Sequence, residues 1–349
     1  MPNPALTKAI DALASRRDLS SEETSGVLAE IMHGEVSETQ IAAFLIALRT
    51  KGETVDELVG LARTMRELAA HVRTERTDLL DTAGTGGGRT TFNVSTTAAL
   101  VAAGAGCAVA KHGNRSATSS SGSADLLEAL GARIDVGPEG VAMCIEEAGF
   151  GFMFAPAHHQ ATRFVVPVRR ELGVRTIFNL LGPLTNPAGA RRQLIGVSDA
   201  SFLETIAGAL ARLGVDRALV VAGEDGLDEV STSAMTHVVE VNEEEITRYT
   251  LAPADVGIAL TDASDARLGG GSPEENAAAT RAVLEGEQGA RADLVLINAG
   301  AAIYAAGAVE SIAEGVEAAR ASLAEGSAAE ALERYVQASR RHAPEQVAG

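Results

Sequence analysis

Three glycine-bounded loops hold the side chains with the most chemical promise. The first, "DTAGTGGGRTTFNVSTT" from Asp81 to Thr97, joins a strand-like lead and abutting glycines to a run of hydroxyl and amide side chains. Glycines leave backbone bare for a close approach, and Asn93, Ser95 and Thr96 open an Ala-rich helix whose first N–H groups lack intrahelical partners. Such a helix start binds anions. Gly84 and Gly86 fill two positions of the fingerprint GxGxxG, but Arg89 stands in the third and no GK[ST] follows, so neither a dinucleotide site nor a P-loop is supported. Taken alone, this loop reads equally well as a tight turn with a Ser/Thr cap.

The second loop, "KHGNRSATSSSGSADLLEALG" from Lys111 to Gly131, carries Lys111, His112, Asn114 and Arg115 within five residues and then offers hydroxyl donors before a helix. Two strand ends with cations and two helix starts suit a ligand with more than one phosphate. The third loop, "GEDGLDEVS", crowds Asp225, Asp228 and Glu229 after the strand-like "ALVVA". Hard oxygen ligands there suit Mg²⁺, with phosphates completing its shell. A solvated acidic turn is the plainer alternative. No Ser/His/Asp triad and no Cys/His nucleophile is evident, so the chemistry must run on positioning and charge stabilisation.

These loops need a scaffold. The chain has 349 residues, 46% of them apolar, which favours two domains or one large domain with an appendage. A net charge of −18 argues against nucleic acid or an anionic membrane as partner, and 3% aromatics without Trp argue against a base-stacking platform. Cys107 and Cys144 stand far apart with no CxxC spacing and read as core residues. The first twenty residues show no secretory pattern and the weakly polar run 98–110 is too short to span a bilayer, so the cytoplasm is expected.

Apolar spacing and the pairs Ser20 with Glu23, Ser37 with Gln40 and Thr54 with Glu57 predict about four helices in the first seventy residues. From Leu79 onward, "LLDTAG", "CAVAKHG", "ALVVAGEDG", "HVVEV" and "DLVLINAG" read as strands between helices, an α/β pattern with a mostly parallel central sheet. The stretch 168–189, with Pro183 and Pro187, breaks that rhythm and reads as a return to the helical unit. The expected division is a small all-helical domain, 1–71 with 163–189, and a large α/β domain, 72–162 with 190–349.

Taken together, "GTGG…TFNVST", "KHGNR…S…GSADLLEALG", "RRELGVRTIFNLLGPLTNP" and "GEDGLDEVS" resemble the anthranilate phosphoribosyltransferase family of tryptophan biosynthesis, in order and approximate spacing. The resemblance covers nearly the whole chain. It implies a fold of the class II nucleoside phosphorylase type, a homodimer formed through the helical domains, and Mg²⁺-dependent transfer from phosphoribosyl pyrophosphate (PRPP) to anthranilate. It places PRPP on Gly84, Gly87, Gly88, Asn93, Ser95, Thr96, the Lys111 to Ser119 loop including Gly113 and Arg115, and Ser123. Mg²⁺ falls to Ser95, Asp228 and Glu229, and anthranilate to Gly84, Asn114 and Arg169, with His112 and His159 at its mouth. A pyrimidine nucleoside phosphorylase is the nearest alternative, but its expected "KHSTGG" and "SGR" are missing.

One departure stands out. The family usually reads GTGGD with a longer loop, whereas this chain reads GTGGG before Arg89, so the usual Asp is replaced by Gly88 or deleted. One carboxylate fewer implies an altered Mg²⁺ dependence, with less inhibition at high metal.

Overall fold

In the computed structural model, which describes residues 2–116 and 120–344, the capping signals of the first seventy residues start four helices: α1 Pro4–Ala14, α2 Ser21–Met32, α3 Glu38–Lys51 and α4 Val55–Glu67. Ser20 with Glu23 and Thr54 with Glu57 close reciprocal capping boxes. The Ser37 cap is one-sided, because the Gln40 side chain turns to Asn3 instead.

Seven strands follow: β1 Leu79–Gly84, β2 Ala108–Gly113, β3 Phe150–Phe154, β4 Arg192–Gly196, β5 Arg217–Gly223, β6 Thr236–Asn242 and β7 Glu245–Leu251. They form one sheet in the order β3-β2-β1-β4-β5-β6-β7. The pairings from β3 through β5 are parallel, while β6 and β7 add an antiparallel edge. Helices flank the sheet, so the expected mostly parallel α/β architecture with a helical N-terminal unit is the one observed.

One strand assignment is wrong. "DLVLINAG" lies inside the helix Ala290–Ala305, which is buried on nearly every side. Its small residues let neighbours approach closely: a Cβ on Gly300 would lie 2.6 Å from the Val316 backbone nitrogen. An apolar run buried all round has lost the periodicity that separates helix from strand. In the other direction, β3, β4 and β7 went unread. Of these, β7 sits mostly exposed and carries little apolar signal.

Each strand that reaches the middle of the sheet's C-terminal edge stops on a glycine: β1 on Gly84, β2 on Gly113, β4 on Gly196 and β5 on Gly223. The chain leaves β1 in one direction to β2 and β3, and takes up β4 and β5 on the other side, so the sheet's switch point lies at β1. A crevice opens at such a point, outside the carboxyl ends of the strands. Helix α5 (Val94–Gly104) follows β1 and helix α6 (Ser123–Ala129) follows β2.

The segment after residue 163 packs on the bundle. Val165, Val168, Ile177, Leu180, Leu181 and Leu184 share one apolar cluster with α1–α4 and with the face of β4, β5 and β6 that carries Ile195, Val220 and Val239. Arg66 of α4 crosses this junction, donating to the Leu184 carbonyl at 2.7 Å. Both cysteines are buried, and burial pushes their thiols up, to about 11 for Cys107 and about 12 for Cys144.

Candidate active site

The β1 glycine loop reaches α5 without a side-chain cap. Asn93 occupies the N-cap position but caps nothing: its amide donates to the Ser121 carbonyl at 3.1 Å, and its oxygen accepts from Ser121 Oγ and Asn276. Asn93 therefore ties the second loop to the first and is spent in doing so. Thr96, fully buried in the first turn, has no partner for its hydroxyl among the described residues. A buried orphan hydroxyl at an uncapped helix start is what an anion would satisfy.

Lys111, at the end of β2, is 1% exposed and donates to the Thr82 carbonyl, to Thr82 Oγ1 at 3.0 Å and to Ser95 Oγ at 3.4 Å. Burial lowers its ammonium to about 8, against the pull of Asp81 and Glu229. Asp81, on β1, is also fully buried; burial raises it to about 6 although Lys111, the His112 N–H and the Asn186 amide oppose the rise. The cation is thus buried at the sheet edge in the company of its counter-charges.

Asp228 and Glu229 follow each other in the chain after β5. Desolvation raises both, Glu229 to about 8 with the Asp228 charge adding to the rise, while the Ser95 backbone beside Glu229 and the Gly86 backbone beside Asp228 oppose it. Two adjoining desolvated carboxylates fit a divalent cation. No group of three or more His, Cys, Asp or Glu gathers around a point among the described residues, so protein ligands alone would leave the shell incomplete. Asp225 is employed otherwise: it accepts from Ser231 Oγ at 2.9 Å and pairs with Arg89 at 3.3 Å.

Bare backbone is needed here for packing as well as for ligand approach. A Cβ at Gly84 would come within 3.3 Å of the Gly196 carbonyl, and one at Gly196 would run into the Asp228 backbone. At Gly88 it would lie 2.5 Å from Asp228 Oδ1, 2.8 Å from the Asp228 nitrogen and 2.9 Å from the Gly226 carbonyl. The position that departs from the family pattern therefore abuts a candidate metal ligand.

The residues expected to meet the acceptor are His112, His159 and Arg169. His112 Nδ1 lies 3.1 Å from the Gly182 carbonyl, and its ring meets His159 edge-on at 5.1 Å. Burial lowers His112 to about 3 and His159 to about 4, so both rings are neutral. A carbonyl only accepts, which puts the His112 proton on Nδ1 and leaves Nε2, buried and without a partner among the described residues, as an open lone pair. Arg169 is half-buried over the Phe178 ring at 5.4 Å, with a long contact of 3.4 Å to Asn179 and no carboxylate paired with it among the described residues. Burial lowers its proton affinity, which a carboxylate guest would restore.

Not every expected residue faces the cleft. Arg115 is drawn onto α6 by Asp125 at 2.7 Å and Glu128 at 2.6 Å. Asp125 also accepts the N–H groups of Ser116 and Gly122, filling the start of α6 from within, so Ser123 opens a helix already capped by its own carboxylate. Asn114 turns its oxygen to the Arg115 N–H at 2.7 Å. A Cβ at Gly113 would lie 2.7 Å from the Phe152 ring of β3 and 3.1 Å from Ser123 Cβ at the start of α6. Gly87 faces the Arg175 guanidinium. Ser119 lies outside the described residues. Asp81, Asn186, Gly196 and Arg175 were not singled out from the sequence. The stop signal "LTNP" marked the Asn186 turn but gave no hint that its amide reaches Asp81 at 2.8 Å.

The neutral histidines predict an acid limb to stability. Groups whose folded pKa is depressed contribute stability that is complete above the unfolded value, near 6.5, and lost as pH falls toward about 4 for His159. Thermal midpoints measured between pH 7 and pH 4 should fall accordingly. His159→Gln should flatten that limb by on the order of 2–3 kcal/mol; an identical slope in the variant would remove the assignment.

The glycosyl transferase family's helical bundle domain matches residues 7–69 and its a/b domain residues 76–329. An anthranilate phosphoribosyltransferase of Rubrobacter xylanophilus is 53% identical over 338 residues, covering 96% of this chain and 98% of its own. The crystal structure of anthranilate phosphoribosyltransferase from Thermus thermophilus superposes with a TM-score of 0.89 at 51% identity, over 95% of this chain and 99% of that one. The Saccharomyces cerevisiae enzyme in complex with PRPP and Mg gives 0.87 at 28% identity, over 96% and 98%.

Proposed function

The chain belongs to the anthranilate phosphoribosyltransferase family, and we propose that it catalyses the Mg²⁺-dependent transfer of the phosphoribosyl group from PRPP to the amine of anthranilate. The products are N-(5-phosphoribosyl)anthranilate and pyrophosphate, a step of tryptophan biosynthesis. One observation carries the reading at the level of the site: β2 places a buried ammonium, Lys111, next to a neutral ring, His112, whose Nε2 has no partner among the described residues. The segment whose Gly182 carbonyl holds that ring also supplies the unpaired Arg169 guanidinium. A phosphorylated donor and an aromatic carboxylate would meet there. The relatives named above are anthranilate phosphoribosyltransferases, which does not favour the pyrimidine nucleoside phosphorylase alternative.

In this mechanism the amine attacks C1 of the ribose as pyrophosphate departs through an oxocarbenium-like transition state. Lys111, Thr96 and the amides of the α5 start take up the charge that develops on the leaving group. Arg169 holds the anthranilate carboxylate, and the neutral His112 ring keeps a second positive charge away from the developing cation. An aromatic amine is unprotonated at neutral pH, so no strong base is needed. Asp228 and Glu229, with the Ser95 hydroxyl, would hold Mg²⁺, which supplies charge neutralisation for a diphosphate when bound.

Gly84, Gly87 and Gly88 give backbone to the donor, whereas Asn93, Asn114, Arg115 and Ser123 shape the loop that covers it. The helical unit 1–71 with 163–189 is the surface through which two copies pair. Four of the six exposed large apolar side chains among the described residues, Ile46, Leu68, Val166 and Val174, lie on it. A solution mass of one chain would remove the dimer. No described helix is long and apolar enough to cross a membrane, in keeping with a cytoplasmic reaction.

Loss of anthranilate fluorescence on mixing with PRPP and Mg²⁺, accompanied by pyrophosphate release and absent without donor or metal, tests the reaction. A folded protein that binds PRPP yet consumes no anthranilate would sink it. Gly88→Asp should raise the Mg²⁺ concentration for half-maximal rate by on the order of tenfold, because the new carboxylate must displace Asp228. An unchanged Mg²⁺ profile would separate Gly88 from metal handling altogether.

A further inference from the structure

Arg175 belongs to none of the three loops, yet its guanidinium ends inside the first. Nη2 donates to the Gly86 carbonyl and Nη1 to Ser198 Oγ at 2.9 Å, while Ser198 Oγ itself donates to that same carbonyl at 3.1 Å. A Cβ on Gly87 would strike the guanidinium, and only a glycine lets the arginine lie so close.

The other end of the residue is tied to the bundle. The Arg175 backbone carbonyl accepts from Arg49 Nη1 of α3 at 2.8 Å. Beside the side chain opens a cavity of about 280 Å³ lined by Arg49, Glu53, Thr176, Asn179 and Phe202. Arg175 is exposed, so hydrogen bonds rather than packing fix its position. The contact network therefore runs from the bundle through one residue into the turn between β1 and α5.

We propose that Arg175 is a positioning residue that clasps the glycine loop through the Gly86 carbonyl and couples that loop to the helical bundle through Arg49. The inference rests on reading this loop as the donor's cradle. On that basis the bundle's placement sets the backbone amides that meet the pyrophosphate before the donor arrives. Loss of the clasp leaves the amides in place chemically but unset in direction, which is a cost in donor binding rather than in acceptor binding.

Arg175→Ala and Arg175→Lys test this with two readouts. The glycine loop contains a trypsin site, the Arg89–Thr90 bond. In Arg175→Ala, cleavage there in the free protein should accelerate about tenfold, and the KM for PRPP should rise about tenfold while that for anthranilate stays within about twofold. Arg175→Lys, which keeps one donor for Gly86 but loses the fork to Ser198, should recover part of both effects. Unchanged cleavage after Arg89, or an equal rise in both KM values, overturns the clasp. A wild-type protein without transferase activity would instead sink the functional reading, and the cleavage rates of the variants would still decide whether Arg175 holds the loop.

Discussion

Lys111→Met should lower kcat by about 10²–10³, the loss expected when a pre-set charge no longer faces the leaving group. The methionine keeps the length and apolar body of the side chain, so the cleft retains its shape. What disappears is the ammonium that touches Thr82 and Ser95 and sits between Asp81 and Glu229. Those carboxyls lose their buried counter-charge, and the unfolding free energy should drop by about 3 kcal/mol. Metal addition should return part of that stability by giving Glu229 a new counter-charge. Steady-state rates together with thermal unfolding with and without Mg²⁺ separate the two effects, and a kcat within threefold of wild type would take Lys111 out of the mechanism.

Arg169→Ala should raise the KM for anthranilate by about 30- to 100-fold while the KM for PRPP moves by less than about twofold, the signature of a lost charge-assisted hydrogen bond to one substrate only. Among the described residues the guanidinium has no carboxylate of its own, and its approach to Phe178 and Asn179 leaves its fork unsaturated. Replacing the acid of the acceptor by its amide, 2-aminobenzamide, gives a second check. The wild type should prefer anthranilate strongly, and the variant should treat the two acceptors nearly alike. Equal effects on donor and acceptor constants would contradict the assignment.

The sequence exposed those parts of the site that depend on local rules. Ser20 and Thr54 each announced a helix through a side chain three residues away, and both capping boxes are formed. The glycine loops were readable because turns with positive φ, such as those at Gly86 and Gly87, need a residue without a side chain. What stayed hidden depends on contacts between segments far apart in the chain. Nothing near Arg115 shows that Asp125 and Glu128 will take it from the cleft. Likewise, only the folded sheet brings Asn186 to Asp81, or Arg175 to Gly86, 89 positions away. The misread helix Ala290–Ala305 has the same origin, since its uniform burial is a tertiary outcome that erased its amphipathic signature.

The glycine ends of β1, β2, β4 and β5 have a consequence for how such a scaffold can be re-targeted. A rim made of main chain recognises what is common to all phosphorylated sugars and is indifferent to the group that will receive the ribose. In the proposed reading, discrimination among acceptors is delegated to a few side chains, chiefly His112, His159 and Arg169. Exchanging those three could redirect the enzyme toward other amines while the donor machinery is inherited intact. Substitutions in the rim itself would erode every such descendant equally.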